Sequence, residues 1–101
     1  MSVFAAACEA AGLSRPEPEY RFCKDRRWRA DWAFLKEKVA VEIQGGLHVG
    51  GRHTRGAALE REYEKLNELA IMGFRVLLVT PEQFERGDVV GLVARAVCAK
   101  E

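Results

Sequence analysis

Hydrophobic and polar residues alternate in recognisable periods along this chain. Val3 to Ala11 carries the spacing of a short helix, which Gly12 and the proline-bearing "SRPEPE" bring to an end. "EYRFCK" sets Tyr20 and Phe22 against Arg21 and Cys23, a strand-like alternation. "WRADWAFL", from Trp28, predicts a second strand with Trp28, Trp32 and Phe34 on one face. "KVAVEIQG" predicts a third, with Val39, Val41 and Ile43 on one face and Ala40, Glu42 and Gln44 on the other. A glycine-rich loop is expected from Gly45 to Gly56, then a helix over Ala57 to Met72 with Leu59, Tyr63, Leu66 and Ala70 inward and Gly73 past its end. "FRVLLVT", Phe74 to Thr80, reads as a buried strand stopped by Pro81, and "VVGLVARAVCA" as a last helix with Asp88 as its N-cap. The predicted order is α-β-β-β-α-β-α, an α/β domain whose mixed β-sheet is flanked by helices.

At 101 residues the chain suffices for one domain, residues 1–101, around a single core. Hydrophobic residues make up 49% and charged residues 31%, a globular balance that argues against disorder. The formal net charge of +1 names no partner, but its distribution is uneven. Arg21, Lys24, Arg26, Arg27 and Arg29 fall close together, opposed only by Asp25, and Arg52, His53 and Arg55 form a second basic group. Either patch suits a polyanion held on one side, or a solvated surface. The three cysteines, Cys8, Cys23 and Cys98, lack CxxC spacing, which favours reduced thiols in a cytoplasmic protein over a disulfide framework or zinc site. The first residues read as a mature amphipathic helix, not a signal peptide, and no segment reaches the ~20 apolar residues that cross a bilayer.

The residue that least fits this pattern is Glu42, a carboxylate inside an apolar strand. A hairpin turning at Lys36-Glu37 sets Asp31 directly opposite it, with Cβ atoms about 4.5–5.5 Å apart on one sheet face. Two carboxylates so close repel unless a cation or a shared proton intervenes. Hard divalent ions such as Mg²⁺ use one or two carboxylates and keep waters, so the pair reads as a metal ledge. A register slip of one residue separates the acids onto opposite faces, and the bland alternative pairs Glu42 with Lys38 or an arginine on a wet surface. The glycines Gly45, Gly46, Gly50 and Gly51 permit close backbone approach to a ligand without forming a nucleotide-binding signature.

"RRWRADWAFLKEKVAVEIQGG", then a histidine, a helix and "GFRVLLVT", resembles the PD-(D/E)XK nuclease superfamily. Within it the chain is similar to the small single-domain branch of phage-type Holliday junction resolvases and very-short-patch repair endonucleases, over about Glu19 to Thr80. The resemblance implies a restriction-endonuclease-like core. It implies Asp31 and Glu42 as ligands of Mg²⁺ or Mn²⁺, with the Ile43 carbonyl a further ligand and Glu19 (or, less well, Glu9) an upstream acid. Gln44 occupies the motif's lysine position, a departure, because an amide orients water or a phosphate oxygen but brings no charge. Lys65 on the following helix is the candidate to replace that charge, its alternative being an i,i+3 partner of Glu62. His48 matches a histidine near the scissile phosphate, as proton carrier or phosphate donor. Arg21, Arg26, Arg27, Arg29, Arg52, His53 and Arg55 are expected to hold DNA backbone phosphates.

The activity implied is metal-assisted hydrolysis of DNA phosphodiesters, selective for branched structure, in the cytoplasm of a bacterium or a phage-infected host. Paired symmetric cuts fit a homodimer, to which the final helix supplies either interface or core. Two alternatives are a mismatch- or nick-directed repair endonuclease, and a non-catalytic DNA-binding module whose site has lapsed.

Overall fold

The computed structural model describes residues 2–45 and 52–99, and of residues 52–55 the backbone alone. Its elements are α1 (Val3–Ala10), β1 (Glu17–Arg21), β2 (Arg29–Phe34), β3 (Val39–Ile43), α2 (Arg52–Ile71), β4 (Arg75–Val79), α3 (Pro81–Arg86) and α4 (Asp88–Cys98). The strands form one sheet in the order β1-β2-β3-β4, antiparallel between the first three and parallel between β3 and β4. A parallel neighbour requires a crossover, and α2 supplies it. Among the described residues no helix is long and apolar enough to cross a membrane.

The β2–β3 hairpin has the register that a turn centred on Lys36-Glu37 predicts. Phe34 pairs with Val39, Ala33 with Ala40 and Trp32 with Val41. The turn is wider than two residues: Leu35 to Lys38 form it, with the Lys38 N–H donating to the Phe34 carbonyl at 2.7 Å. Lys38 takes a left-handed conformation, φ +61°. Its ammonium turns from the sheet to the Met72 carbonyl at the end of α2 and stands 4.3 Å from the Phe74 ring centroid. A cation there suits the negative end of the helix dipole, and Lys38 is therefore not Glu42's partner. Ser14 ties the hairpin to the segment after α1, its N–H and Oγ donating to the two Glu37 oxygens at 2.9 and 2.6 Å.

Period-two alternation in β3 divides the core between the faces of the sheet. Val39 and Val41 join Phe34, Val79, Cys8 of α1 and Val89 and Val93 of α4 in an apolar cluster, with Trp32, Leu77 and Phe84 packed against it. Burial there pushes the Cys8 thiol up to about 11. Ala40 points the other way, into a second cluster of Phe22, Ala30, Ala33, Leu69 and Phe74 beneath α2. Burying side chains such as Phe34 and Leu69 contributes about 1.5–3 kcal/mol each before entropy is counted.

Several elements differ from the sequence expectation. β1 begins at Glu17 and contains Pro18, tolerated because this is an edge strand; Phe22 and Cys23 lie beyond its end. Trp28 precedes β2 and packs with the second cluster, apart from Trp32 and Phe34. α2 starts at Arg52, so Arg52, His53, Arg55 and Gly56 belong to a helix and not to the expected loop. Its inward side is also rotated. Leu66 and Leu69 face the sheet, whereas Tyr63 is 54% exposed and Ala70 is exposed. α3 is an additional helix, begun by Pro81 at its first position and by a capping box between Thr80 and Gln83. Gly87 in the left-handed region (φ +86°) caps both α3 and α4, so Asp88 is the first residue of α4 and not its N-cap.

Candidate active site

β3 delivers Glu42 to the α2 side of the sheet, one residue past the last paired position of the hairpin. There the carboxylates replace the ladder. Asp31 N–H donates to Glu42 Oε2 at 3.0 Å, and Ile43 N–H donates to Asp31 Oδ2 at 2.7 Å. Each acid thus satisfies a backbone donor on the opposite strand that regular pairing no longer serves. On the other side β3 continues: Gln44 N–H donates to the Val79 carbonyl at 2.7 Å.

Glu42 is 2% exposed, and Lys65 approaches it from α2, its Nζ donating to Oε1 at 2.6 Å. The lysine side chain retains only 14% of its exposure, so the pair is largely desolvated. Burial raises the Glu42 carboxyl above the usual carboxylate range, helped by the Asp31 charge and opposed by the Lys65 bond and charge and by Asp31 N–H. Breaking such a pair by removing one member costs about 3–5 kcal/mol. Gln44 reaches α2 as well, its Nε2 donating to Glu62 Oε2 at 2.5 Å. Because an ionised carboxylate only accepts, this contact fixes the amide orientation and leaves Gln44 Oε1 as an acceptor.

Asp31, Glu42, Ile43, Gln44, Gly45, Glu62 and Lys65 line one pocket of about 240 Å³. Three carboxylates face one ammonium there, so the lining is net negative. Gly45 forms its end for a steric reason: a Cβ on this residue would stand 2.7 Å from Pro81 Cδ and Cγ. The end of β3 and the start of α3 meet in the space a side chain would fill.

The structure therefore gathers Asp31, Glu42, Ile43, Gln44 and Lys65 and separates them from other expected residues. Glu19 is exposed, has φ +49°, and is not part of this wall. Arg21, Arg26, Arg27 and Arg29 are all exposed. Arg26 pairs loosely with Glu64 at 3.5 Å and lies over Trp28. His48 lies outside the described residues, as do the side chains of Arg52, His53 and Arg55. Lys65 is Glu42's partner, not a simple surface partner of Glu62. Glu62 itself is the member that sequence reasoning missed. Its signal was its spacing: with Lys65, Leu66 and Leu69 it forms one i, i+3, i+4, i+7 stripe. Among the described residues no group of three or more His, Cys, Asp and Glu residues converges as a metal site. The oxygen donors nearest one another are the Asp31 and Glu42 carboxylates and the neighbouring Ile43 carbonyl, with Glu62 engaged by Gln44.

No protein-family model, curated protein or solved structure matches this chain.

Proposed function

We propose that this protein is a metal-dependent DNA endonuclease with a restriction-endonuclease-like core, cutting branched DNA as a Holliday junction resolvase does. The observation that carries the reading is the convergence of Asp31, Glu42, Gln44 and Lys65 on one open pocket at the end of β3. Asp31 and Glu42 come from neighbouring strands, Lys65 from the crossover helix, and a purely structural ion pair has no need of the second acid or the oriented amide. A mixed four-stranded sheet with an antiparallel hairpin and a helical crossover, carrying one helix more than expected, is compatible with the resemblance to PD-(D/E)XK nucleases.

The donor set fits a hard divalent cation such as Mg²⁺ or Mn²⁺. Each Glu42 oxygen uses one lone pair in the bonds described, and carboxylate oxygens have further acceptor capacity. Asp31, Glu42 and the Ile43 carbonyl would hold the ion, with water completing its shell. When bound, such an ion acidifies water and offsets charge on the phosphate. Lys65 supplies the ammonium that position 44 lacks, placed to donate to a phosphate oxygen. Gln44, anchored by Glu62, presents Oε1 to accept a hydrogen bond from the attacking water and so orient it. Neither Gln44 nor Lys65 has to move a proton in this arrangement. Exposed Arg21, Arg26, Arg27 and Arg29, with Arg52, His53 and Arg55, would hold backbone phosphates with salt-sensitive affinity. A homodimer would give the paired cuts that junction resolution requires.

Incubation with Mg²⁺ and a four-way junction, a mismatched duplex or a plain duplex tests the proposal. Symmetric nicks confined to the junction are expected. Cutting at mismatches alone would replace the resolvase with a repair endonuclease, and binding without product from any substrate would leave a DNA-binding module.

A further inference from the structure

Beside the candidate active site lies a second hollow of about 440 Å³, lined by Trp28, Arg29, Ala58, Arg61, Glu62 and Lys65. Glu62 and Lys65 line both spaces and so form the partition between them. A group seated in the second space is one side chain away from Glu42. The partition is built from residues already engaged, Glu62 with Gln44 and Lys65 with Glu42, which fixes its position.

The remaining walls have a distinct chemistry. Arg29 and Arg61 are exposed guanidiniums, able to hold a phosphate in a two-pronged bond. Trp28 is a half-buried aromatic wall held from behind. Phe22, itself buried, stacks with it at a centroid distance of 6.2 Å and an interplanar angle of 19°. The Arg26 guanidinium lies 3.9 Å from the indole centroid. Among the described residues Arg26 is otherwise restrained by a loose contact with Glu64, and both side chains are about half exposed. An exposed pair of this kind holds its members weakly, so a base stacking on the indole can displace the guanidinium now over that ring towards its phosphate.

An indole fixed among guanidiniums suits an anion that carries an aromatic ring. A base-paired duplex keeps its base faces stacked inside and offers this wall only sugar and phosphate. An unpaired nucleotide offers both the ring and the charge. We infer that the hollow binds an unpaired DNA nucleotide immediately beside the cleavage pocket. The substrate is thereby DNA with a single-stranded element at the cut, such as a flap, a gap or the opened centre of a branch. The position of this nucleotide relative to the cut rests on the nuclease reading; its binding does not.

The test uses the full chain in EDTA, so that no cleavage intervenes, with a labelled dT oligonucleotide and a blunt duplex of equal length. Trp28→Leu should weaken binding of the single strand about tenfold and of the duplex less than about twofold, the pattern of base–aromatic stacking. Arg61→Ala should weaken both and lower the salt dependence by about one released counterion. The single strand should quench wild-type indole emission. Trp28→Phe, which retains only Trp32 packed between Phe4 and Phe84, should bind with no quenching. Equal losses on both DNAs in Trp28→Leu, or equal quenching in wild type and Trp28→Phe, would overturn the inference. A wild-type protein with the Trp28 signature that never cuts would retain this subsite and lose the nuclease. Cutting with no Trp28 effect on binding would do the reverse.

Discussion

The two faces of the sheet share the same strands but are built on different terms. Beneath α1 and α4 the contacts are apolar throughout: Cys8, Phe34, Val39, Val41, Val89 and Val93 are all essentially inaccessible. Beneath α2 the wall is made of alanines, with Leu69 and Phe74 filling one end and the Glu42–Lys65 pair occupying the other. β3 serves both, because successive side chains point to opposite faces. The first face stabilises the fold through buried apolar area. The second gives up hydrophobic area to hold a desolvated carboxylate, and the proposed reaction belongs there.

This contrast separates loss of activity from loss of fold. Asp31→Asn or Glu42→Gln should abolish cleavage of branched DNA in Mg²⁺ while leaving binding in EDTA within a few-fold. Wild-type turnover in either variant would remove the catalytic assignment of the α2 face. Phe34→Ala on the apolar face should cost about 4 kcal/mol in chemical denaturation, from lost burial and the cavity left behind. Protein that remains folded should still cut.

Lys65→Met tests the desolvated pair, and a stability loss of about 3 kcal/mol at pH 7 is expected. That loss should shrink in acid, where a protonated Glu42 needs no cationic partner. In the wild type the raised Glu42 carboxyl favours folding below its ordinary value of about 4.5, and this contribution is lost as pH rises through the raised value. Glu42→Gln should remove that slope; an unchanged pH profile of stability would show that Glu42 is not strained by burial. Glu37, on the hairpin, should behave in the opposite sense. Burial works against its charged form, but the two Ser14 bonds, its own backbone N–H and the Lys36 charge together outweigh it and lower its pKa. Its contribution is present above about 4.5 and is lost as pH falls through the lowered value. Glu37→Gln should therefore cost about 1 kcal/mol at pH 7 and almost nothing in strong acid.

How much of this was legible beforehand depended on the length scale of the signal. The hairpin register could be read from the turn at Lys36-Glu37, and the facing of Phe34, Val39 and Val41 excludes a slip of one residue. The wide turn left that alignment intact because it is centred on the same pair, Lys36-Glu37. Hydrophobic patterning hides α3 because Pro81 reads as a stop, although Thr80 and Gln83 spell a capping box. The face of α2 was misjudged for a deeper reason. Periodicity assumes that inward means apolar, and here the inward stripe continues from Leu69 and Leu66 into Lys65 and Glu62. Tyr63, the more hydrophobic choice, points outward. Trp28 was grouped with Trp32 by alternation, yet the strand starts one residue after it. Polar residues with a task are the ones that hydrophobic patterning places worst.

The contact between Gly45 and Pro81 has a consequence for how this protein can be altered. With the proline ring already seated where any side chain would go, position 45 admits no enlargement unless the start of α3 retreats. Attempts to reshape the mouth by mutation therefore have to proceed through Gln44 on the strand or Glu62 on the facing helix. The third corner is closed by geometry, and variation there will be purged as misfolding before its effect on reactivity can be selected.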